Sequence, residues 1–249
     1  MKIIVLLCSL LLVTAQASDL AKEKRWADQT VDAIFDGEVV WLKAGNLKFL
    51  SIYTEAENES DKAIIVVHGT GIHPDWDQVV KPVRVRMTTH GWNTLSIQMP
   101  ILNNEATYED YLPLFSEVAP RIKAAEAYLK EKGMKTIVIV AHSQGAAMSS
   151  YYLSQNKHNI SAFVAIGMPS RQTNASYDST LALQSINIPV YDIYGSKDLP
   201  TVLNTTAERK AAGKHNARYS QKEISGAEHF FDGKEDILIE TIQQWLNQL

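Results

Sequence analysis

A serine stands at the junction of a predicted strand and a predicted helix. Residues 136–140 form a Val/Ile-rich run that is typical of a buried strand, and residues 144–155 have a helical pattern. Ser143 lies between them and is flanked by the small residues Ala141 and Gly145, which allow the strand and the helix to approach closely. The first N–H groups of that helix favour developing negative charge. These features indicate a nucleophile, and a serine that only caps the helix is the alternative.

The segment Ala141-His142-Ser143-Gln144-Gly145 resembles the nucleophile elbow of the α/β-hydrolase superfamily, which is written G-x-S-x-G. Ala141 departs from this motif, because the family has glycine at that position. The resemblance implies a serine hydrolase in which an acid and then a histidine follow the serine in chain order. It also implies that His142 packs structurally beside the nucleophile.

Two later segments match the acid and the histidine that the resemblance implies. Asp198 follows a predicted strand and Gly195, as in the superfamily's strand-G-x-x-D element, and His229 precedes the last predicted helix. His229 would take the proton of Ser143 and later give it to the leaving group, while Asp198 would orient the imidazole. A plain turn residue is the alternative for Asp198. Asp192 is the other possible acid, because a carboxylate inside an apolar strand needs a partner; it would support the site or replace Asp198.

A glycine-rich loop follows the first apolar run. His68-Gly69-Thr70-Gly71 resembles the H-G-x-G loop of the same superfamily. The resemblance implies that a backbone N–H of Thr70 or Gly71, together with that of Gln144, binds the oxyanion of a tetrahedral intermediate. Glycine suits such a loop because its backbone can face a ligand without a side chain in between.

No metal and no cofactor are predicted. The histidines and aspartates around this loop match no fixed metal-ligand spacing: His68, His73, Asp75 and Asp77. A hydrophobic content of 45 % excludes a disordered chain, and a net charge of −4 argues against a nucleic-acid-binding protein. The expected partner is a small-molecule or lipid-like ester, and the oligomeric state stays open.

Two stretches together resemble a little-characterised bacterial family of exported α/β-hydrolase-like proteins. They are residues 68–76, HGTGIHPDW, and residues 91–100, GWNTLSIQMP. The resemblance covers most of the chain after residue 17 and implies a fold and a hydrolase label, but no substrate. Some members of that family lack the serine, and its presence here favours an active enzyme.

Residues 1–17, MKIIVLLCSLLLVTAQA, have the build of a secretory signal peptide. A positive charge precedes an apolar run from Ile3 to Val13, and a small-x-small cleavage pattern ends at Ala17. A retained membrane anchor is the alternative, but the run is shorter than the roughly 20 residues that span a bilayer. Cleavage after Ala17 predicts a periplasmic or secreted protein without a stable membrane span.

Apolar runs at wide spacing predict the sheet that positions these groups. Their continuous Val/Ile character suits parallel strands covered on both faces, at residues 63–67, 94–99, 136–140, 162–166 and 190–194, with a last strand at 218–224. Helical patterns lie between them, at residues 78–89, 119–132 and 144–155, and a final helix starts from an Asp232–Glu235 capping box. Residues 38–43 and 47–53 predict an antiparallel hairpin with its turn at Ala44-Gly45-Asn46.

The predicted fold is therefore a single α/β-hydrolase domain over residues 18–249. Helices cover both faces of a mostly parallel sheet, and the hairpin lies at its N-terminal edge. Residues 100–112 and 168–178 are the expected substrate loops, and their short length predicts a minimal lid.

The leading hypothesis is an exported serine hydrolase that cleaves a carboxylic ester or thioester through an acyl-enzyme. Amide or peptide cleavage by the same Ser–His–Asp residues is one alternative. An inactive α/β-hydrolase-like binding or envelope-accessory protein is the other, and the Ala141 departure and the embedded Asp192 support it.

Overall fold

The computed structural model describes residues 18–170 and 177–249, which contain one eight-stranded sheet in the order β1-β2-β4-β3-β5-β6-β7-β8. The strands are β1 (Glu38–Ala44), β2 (Leu47–Thr54), β3 (Lys62–Val67), β4 (Asn93–Ile97), β5 (Thr136–His142), β6 (Ala162–Ile166), β7 (Val190–Gly195) and β8 (Tyr219–Ile224). Strand β2 is antiparallel to both β1 and β4, and all other neighbouring pairs are parallel. The predicted mostly parallel sheet with an N-terminal hairpin is confirmed.

The α-helices among the described residues lie between and around these strands. They are α1 (Leu20–Ala33), α2 (Val80–Arg86), α3 (Phe115–Glu131), α4 (Gln144–Gln155), α5 (Ser179–Leu183), α6 (Pro200–Leu203), α7 (Thr206–Ala212) and α8 (Glu235–Leu246). None of these helices is long and apolar enough to cross a membrane.

Strand β3 shows why the apolar runs are continuous. Its residues Ala63, Ile65 and Val67 belong to a core that includes α3 and α4, whereas Ile64 and Val66 belong to a core with α2 and α8. Because both faces of the strand are covered, both sets of side chains must be apolar. The helices thus hold the sheet rigid from two sides, and the loops at the carboxyl ends of the parallel strands carry the site.

Several helix predictions need correction. The last helix begins at Glu235, not in a capping box at Asp232, because the Asp232 carboxylate accepts a hydrogen bond from the Gln78 side chain at 2.9 Å. The helix predicted from residue 119 begins at Phe115, and the one predicted over residues 78–89 is α2 followed by a 3-10 turn, Met87–His90. Helix α1 is absent from the prediction.

Two predicted segments lie wholly or partly outside the described residues. The signal peptide covers residues 1–17, and the substrate loop at residues 168–178 includes residues 171–176.

Candidate active site

Ser143 occupies the turn between β5 and α4 with a positive φ of 55° and ψ −127°. Few residues other than glycine adopt this region, so the surroundings must impose it. The Ser143 N–H donates to the carbonyl of Ile166 at 2.8 Å, which ties the turn to β6. The Ser143 side chain makes no capping bond to α4, so the helix-cap alternative is wrong.

Two positions next to this turn must be glycine, because neighbouring segments of the chain approach them too closely for a side chain. A Cβ at Gly145 would lie 2.2 Å from the carbonyl oxygen of His68, and a Cβ at Gly69 would lie 3.0 Å from the Cβ of Ser143. Any larger residue at 145 would push α4 away from β3. Ala141 is buried in the core of the sheet, where its methyl group is accommodated.

Ser143, His229 and Asp198 form one hydrogen-bonded chain. The Oγ of Ser143 lies 2.8 Å from Nε2 of His229, and Nδ1 of His229 lies 2.5 Å from Oδ1 of Asp198. Asp198 can only accept when ionised, so Nδ1 carries the proton of a neutral imidazole and Nε2 is free to accept from the serine. This is the arrangement that activates a hydroxyl nucleophile.

The environment of Asp198 keeps its carboxylate charged. Burial alone raises the pKa of Asp198, but the hydrogen bond from Nδ1–H of His229 and the electrostatic attraction to that ring oppose it. The N–H groups of Leu199 and Gly195 also donate to this carboxylate, at 2.7 and 3.3 Å. The net result is a pKa of Asp198 below its ordinary value, so the carboxylate is ionised at neutral pH.

His142 contacts His229 through a hydrogen bond and through ring packing. Its Nε2 lies 3.0 Å from the backbone carbonyl of His229, to which it must donate, and the two rings are 4.8 Å apart. Burial, with a smaller effect from His229, lowers the pKa of His142 to about 3. The neutral His142 ring therefore fixes the backbone of His229 without competing for its proton.

His68 shapes the loop beside Ser143. Its Nε2 accepts from the Met99 N–H at 2.9 Å, so the proton lies on Nδ1, which donates to the Gly69 carbonyl at 2.8 Å. Burial lowers the pKa of His68 to about 3, which keeps the ring neutral in this role.

The loop and the start of α4 border Ser143 from two sides. Thr70 and Gly71 follow Gly69 in the loop, and the Gly71 carbonyl accepts from Nε1 of Trp26 at 3.2 Å. Gln144 is the first residue of α4, so its N–H has no acceptor within the helix. Gln144 directly follows Ser143, and the loop approaches the serine at Gly69, the residue before Thr70 and Gly71.

A family model described as "Protein of unknown function (DUF3530)" matches residues 4–113 and 109–248. The chain belongs to this family. None of the curated proteins matches the sequence.

Solved structures similar to this DUF3530 protein include esterases and a serine hydrolase homologue. The Pyrococcus furiosus esterase Pf2001 is 20 % identical, with 88 % of this chain and 93 % of that chain covered and a TM-score of 0.70. Est1E from Butyrivibrio proteoclasticus is 15 % identical, with 86 % and 98 % covered and a TM-score of 0.66. An α/β serine hydrolase homologue from Coxiella burnetii is 17 % identical, with 85 % and 98 % covered and a TM-score of 0.65. The α/β-hydrolase fold is confirmed.

Asp192 of the DUF3530 protein lies apart from the serine chain. It is fully buried in β7 and accepts from Arg209 at 2.8 Å, from Tyr219 at 2.8 Å and from Gln221 at 3.0 Å. The partner that a buried carboxylate requires is therefore Arg209. Within the described residues, Asp198 is the carboxylate that contacts His229.

Gly167 is a site residue that the sequence analysis missed. It has φ 56°, and a Cβ there would lie 3.1 Å from the His229 ring and 3.3 Å from Oδ2 of Asp198. A side chain at this position would push against both groups. A glycine directly after the predicted strand at residues 162–166 was the signal that could have revealed it.

The histidine and the aspartates of residues 72–77 have other partners. His73 packs against the rings of Trp26 and Trp76 at 4.7 and 5.4 Å, and Asp75 pairs with Arg84 at 2.5 Å. No group of three or more potential ligands suited to a metal occurs in the part of the chain that the structure describes.

Proposed function

We propose that the chain is an exported serine hydrolase that cleaves a carboxylic ester or a thioester. The observation that carries this proposal is the hydrogen-bonded chain of Ser143, His229 and Asp198 at the carboxyl edge of the sheet. Serine, histidine and aspartate in this order of contact transfer acyl groups on several unrelated folds. The esterase names of structurally similar proteins support an ester-type substrate.

The reaction has two halves that use the same groups. The Oγ of Ser143 forms a bond to the substrate carbonyl carbon while Nε2 of His229 takes its proton. The intermediate then expels the alcohol or thiol, which receives that proton from His229. Water, deprotonated by Nε2 of His229, then adds to the acyl carbon. Collapse of this second intermediate releases the carboxylic acid, while His229 returns the proton to Oγ of Ser143. Asp198 stabilises the imidazolium that forms in each half.

Backbone donors would stabilise the oxyanion of each tetrahedral intermediate. The N–H of Thr70 or Gly71 and the N–H of Gln144 are the proposed donors, because both segments border the serine turn. Each such donor contributes about 3 kcal/mol to lowering the barrier.

A fluorophosphonate probe tests the nucleophile. The folded protein should be labelled, Ser143→Ala should abolish labelling, and Ser149→Ala should retain it. Ser149 is the matched control because it is a buried serine of α4 whose hydroxyl has no partner. No labelling of the folded protein would favour an inactive binding or envelope-accessory protein, and labelling that survives Ser143→Ala would reject this nucleophile.

The choice between ester and amide needs a matched pair of substrates. We expect the nitrophenyl ester of a short acyl chain to be turned over faster than the nitroanilide of the same chain. Faster cleavage of the anilide would identify an amidase or peptidase with the same residues.

Export rests on the composition of residues 1–17. Fractionation of the producing cells, followed by N-terminal sequencing, should find a chain that begins at Ser18 outside the cytoplasm. A cytoplasmic chain that keeps residues 1–17 would contradict export.

A further inference from the structure

We propose that Trp26 of α1 is a positioning residue for the oxyanion hole, because it holds the loop after β3, His68–Gly71, in its active geometry. This inference rests on the proposed hydrolase and assigns a role to a helix that the serine chain does not include. The indole Nε1–H of Trp26 donates to the carbonyl of Gly71 at 3.2 Å. Gly71 is the last residue of the loop that is proposed to supply one of the two oxyanion donors.

The loop after β3 needs outside contacts because two of its four residues are glycines. Glycine has the largest backbone freedom, and Gly71 adopts a positive φ of 70°. An oxyanion donor is effective only when it is oriented before the reaction begins. The first half of the loop is held by His68, whose ring is bonded to the Gly69 carbonyl and the Met99 N–H. Trp26 supplies the corresponding bond at the other end, because it fixes the peptide group that follows Gly71.

Helix α1 is itself anchored to the core of the molecule. Both carboxylate oxygens of Glu23 accept from the buried guanidinium of Arg121 in α3, each at 2.9 Å. Nζ of Lys22 donates to the Leu102 carbonyl at 2.8 Å, and a Cβ at Gly71 would lie 3.4 Å from that nitrogen. The helix therefore approaches Gly71 with two side chains while α3 holds it in place, so that the bond from Trp26 ties the loop to a fixed support.

The ring of Trp26 has a second set of contacts, outside the loop. It packs against the rings of His73 and Trp76, with ring centres 4.7 and 6.2 Å away. Phenylalanine at this half-buried position keeps an aromatic ring in the cluster and removes the N–H donor. Trp76 gives a matched control, because its Nε1 donates to Oε1 of Gln78 at 3.2 Å and not to the loop. Each of the two Trp-to-Phe variants thus removes one indole hydrogen bond from the same cluster.

Steady-state hydrolysis of para-nitrophenyl butyrate by the purified protein tests this role. We expect Trp26→Phe to lower kcat about fivefold, the factor in an equilibrium that one hydrogen bond supplies, and to leave KM unchanged. KM stays the same because acylation and deacylation both pass through an oxyanion and slow together. Trp76→Phe should keep the parent kcat. The melting temperatures of the two variants should be alike, because each loses one indole hydrogen bond.

Inhibition by propyl trifluoromethyl ketone separates positioning from a general loss of structure. Oγ of Ser143 adds to the ketone carbon, its proton passes to Nε2 of His229, and the ketone oxygen becomes the oxyanion. A transition-state analogue of this kind uses the same donors as the reaction. In Trp26→Phe, the inhibition constant should therefore rise by the factor by which kcat/KM falls, and in Trp76→Phe it should not change.

The outcomes distinguish a failure of this inference from a failure of the proposed function. No turnover by the parent chain would reject the hydrolase and, with it, this role of Trp26. Turnover by the parent that Trp26→Phe leaves unchanged would reject the role of Trp26 alone. Equal losses of kcat in Trp26→Phe and Trp76→Phe, or a lower kcat without weaker inhibition by the ketone, would show that Trp26 only stabilises the fold.

Discussion

One aspartate within strand β7 and another just after it have different roles. Asp192 lies within β7 and is bonded to Arg209, whereas Asp198 lies on the turn after β7 and is bonded to His229. Both are buried. A guanidinium stays charged at any ordinary pH, so its bond to Asp192 is permanent, but an imidazole can take up and release a proton. The partner, not the burial of the carboxylate, therefore separates a structural aspartate from one suited to catalysis.

Position along the strand decides which partner is available. Asp192 is flanked by β6 and β8 in the sheet, where Tyr219 and Gln221 of β8 complete its shell. Asp198 lies beyond the strand end, where loops from different parts of the chain meet. Ligands of open α/β sheets bind at this carboxyl edge, because only there can groups from several loops converge.

Asp198→Asn should give the largest effect. An amide can donate to Nδ1 of His229 and so favours the wrong tautomer, which costs about 10⁴-fold in kcat, or about 5 kcal/mol of barrier. Turnover of a short-chain ester measures this effect, and thermal unfolding should show that the fold is retained. Turnover close to that of the parent would mean that Asp198 does not orient His229.

Asp192→Asn should instead affect the fold. Removing one partner of a buried ion pair leaves Arg209 uncompensated and costs about 3–5 kcal/mol in the free energy of unfolding. Urea unfolding measures the loss, while the protein that remains folded should keep the parent kcat. If the variant is stable but loses turnover, the assignments of the two aspartates must be exchanged.

The sequence could predict Ser143, Asp198 and His229 because the resemblance to the α/β-hydrolase superfamily supplies local patterns for the first two and a chain order for the third. A small-residue turn marks Ser143, a strand followed by a glycine marks Asp198, and chain order marks His229. The sequence also showed that Asp192 needs a partner but not that this is Arg209, which belongs to α7. No local pattern connects the two, because the pairing exists only once α7 lies against β7.

Helix α1 could not be predicted from the sequence for a different reason. Its buried residues are Lys22, Glu23, Ala27 and Thr30, so no apolar stripe marks the face that it buries. Glu23 is buried because Arg121 of α3 reaches it, and Lys22 donates to the Leu102 carbonyl at 2.8 Å. The helix is stabilised by distant polar partners, which a search for apolar periodicity cannot detect.

Tyr219→Phe should destabilise the Asp192 cluster by a smaller amount than Asp192→Asn. It removes one donor to Asp192 and leaves Arg209 in place, so the expected loss is about 1.5–3 kcal/mol in the free energy of unfolding. Tyr191→Phe is a matched control, because the Tyr191 ring stacks on Trp245 without needing its hydroxyl. Neither variant should change kcat. Equal stability of the two variants would show that the hydroxyl of Tyr219 adds nothing to the Asp192 cluster.

The carboxyl edge of the sheet, where Asp198 lies, also contains two neutral histidines, which make stability depend on pH. The pKa of His68 and of His142 is about 3 in the folded chain, against an ordinary value of 6.5 that the unfolded chain would show. Between these values the unfolded chain binds more protons, so stability falls as pH decreases, by about 1.4 kcal/mol per pH unit for each histidine.

His142→Phe should remove one of these contributions. We expect the slope of unfolding free energy against pH, measured in urea between about pH 6 and pH 5, to decrease by about 1.4 kcal/mol per unit. Carboxylates that titrate in the same range cancel in the difference between variant and parent, and the phenyl ring keeps the packing against His229. An unchanged slope would mean that His142 takes up a proton in the folded chain. A charged ring beside His229 would then oppose the imidazolium that the reaction requires, and His142 could not be its neutral support.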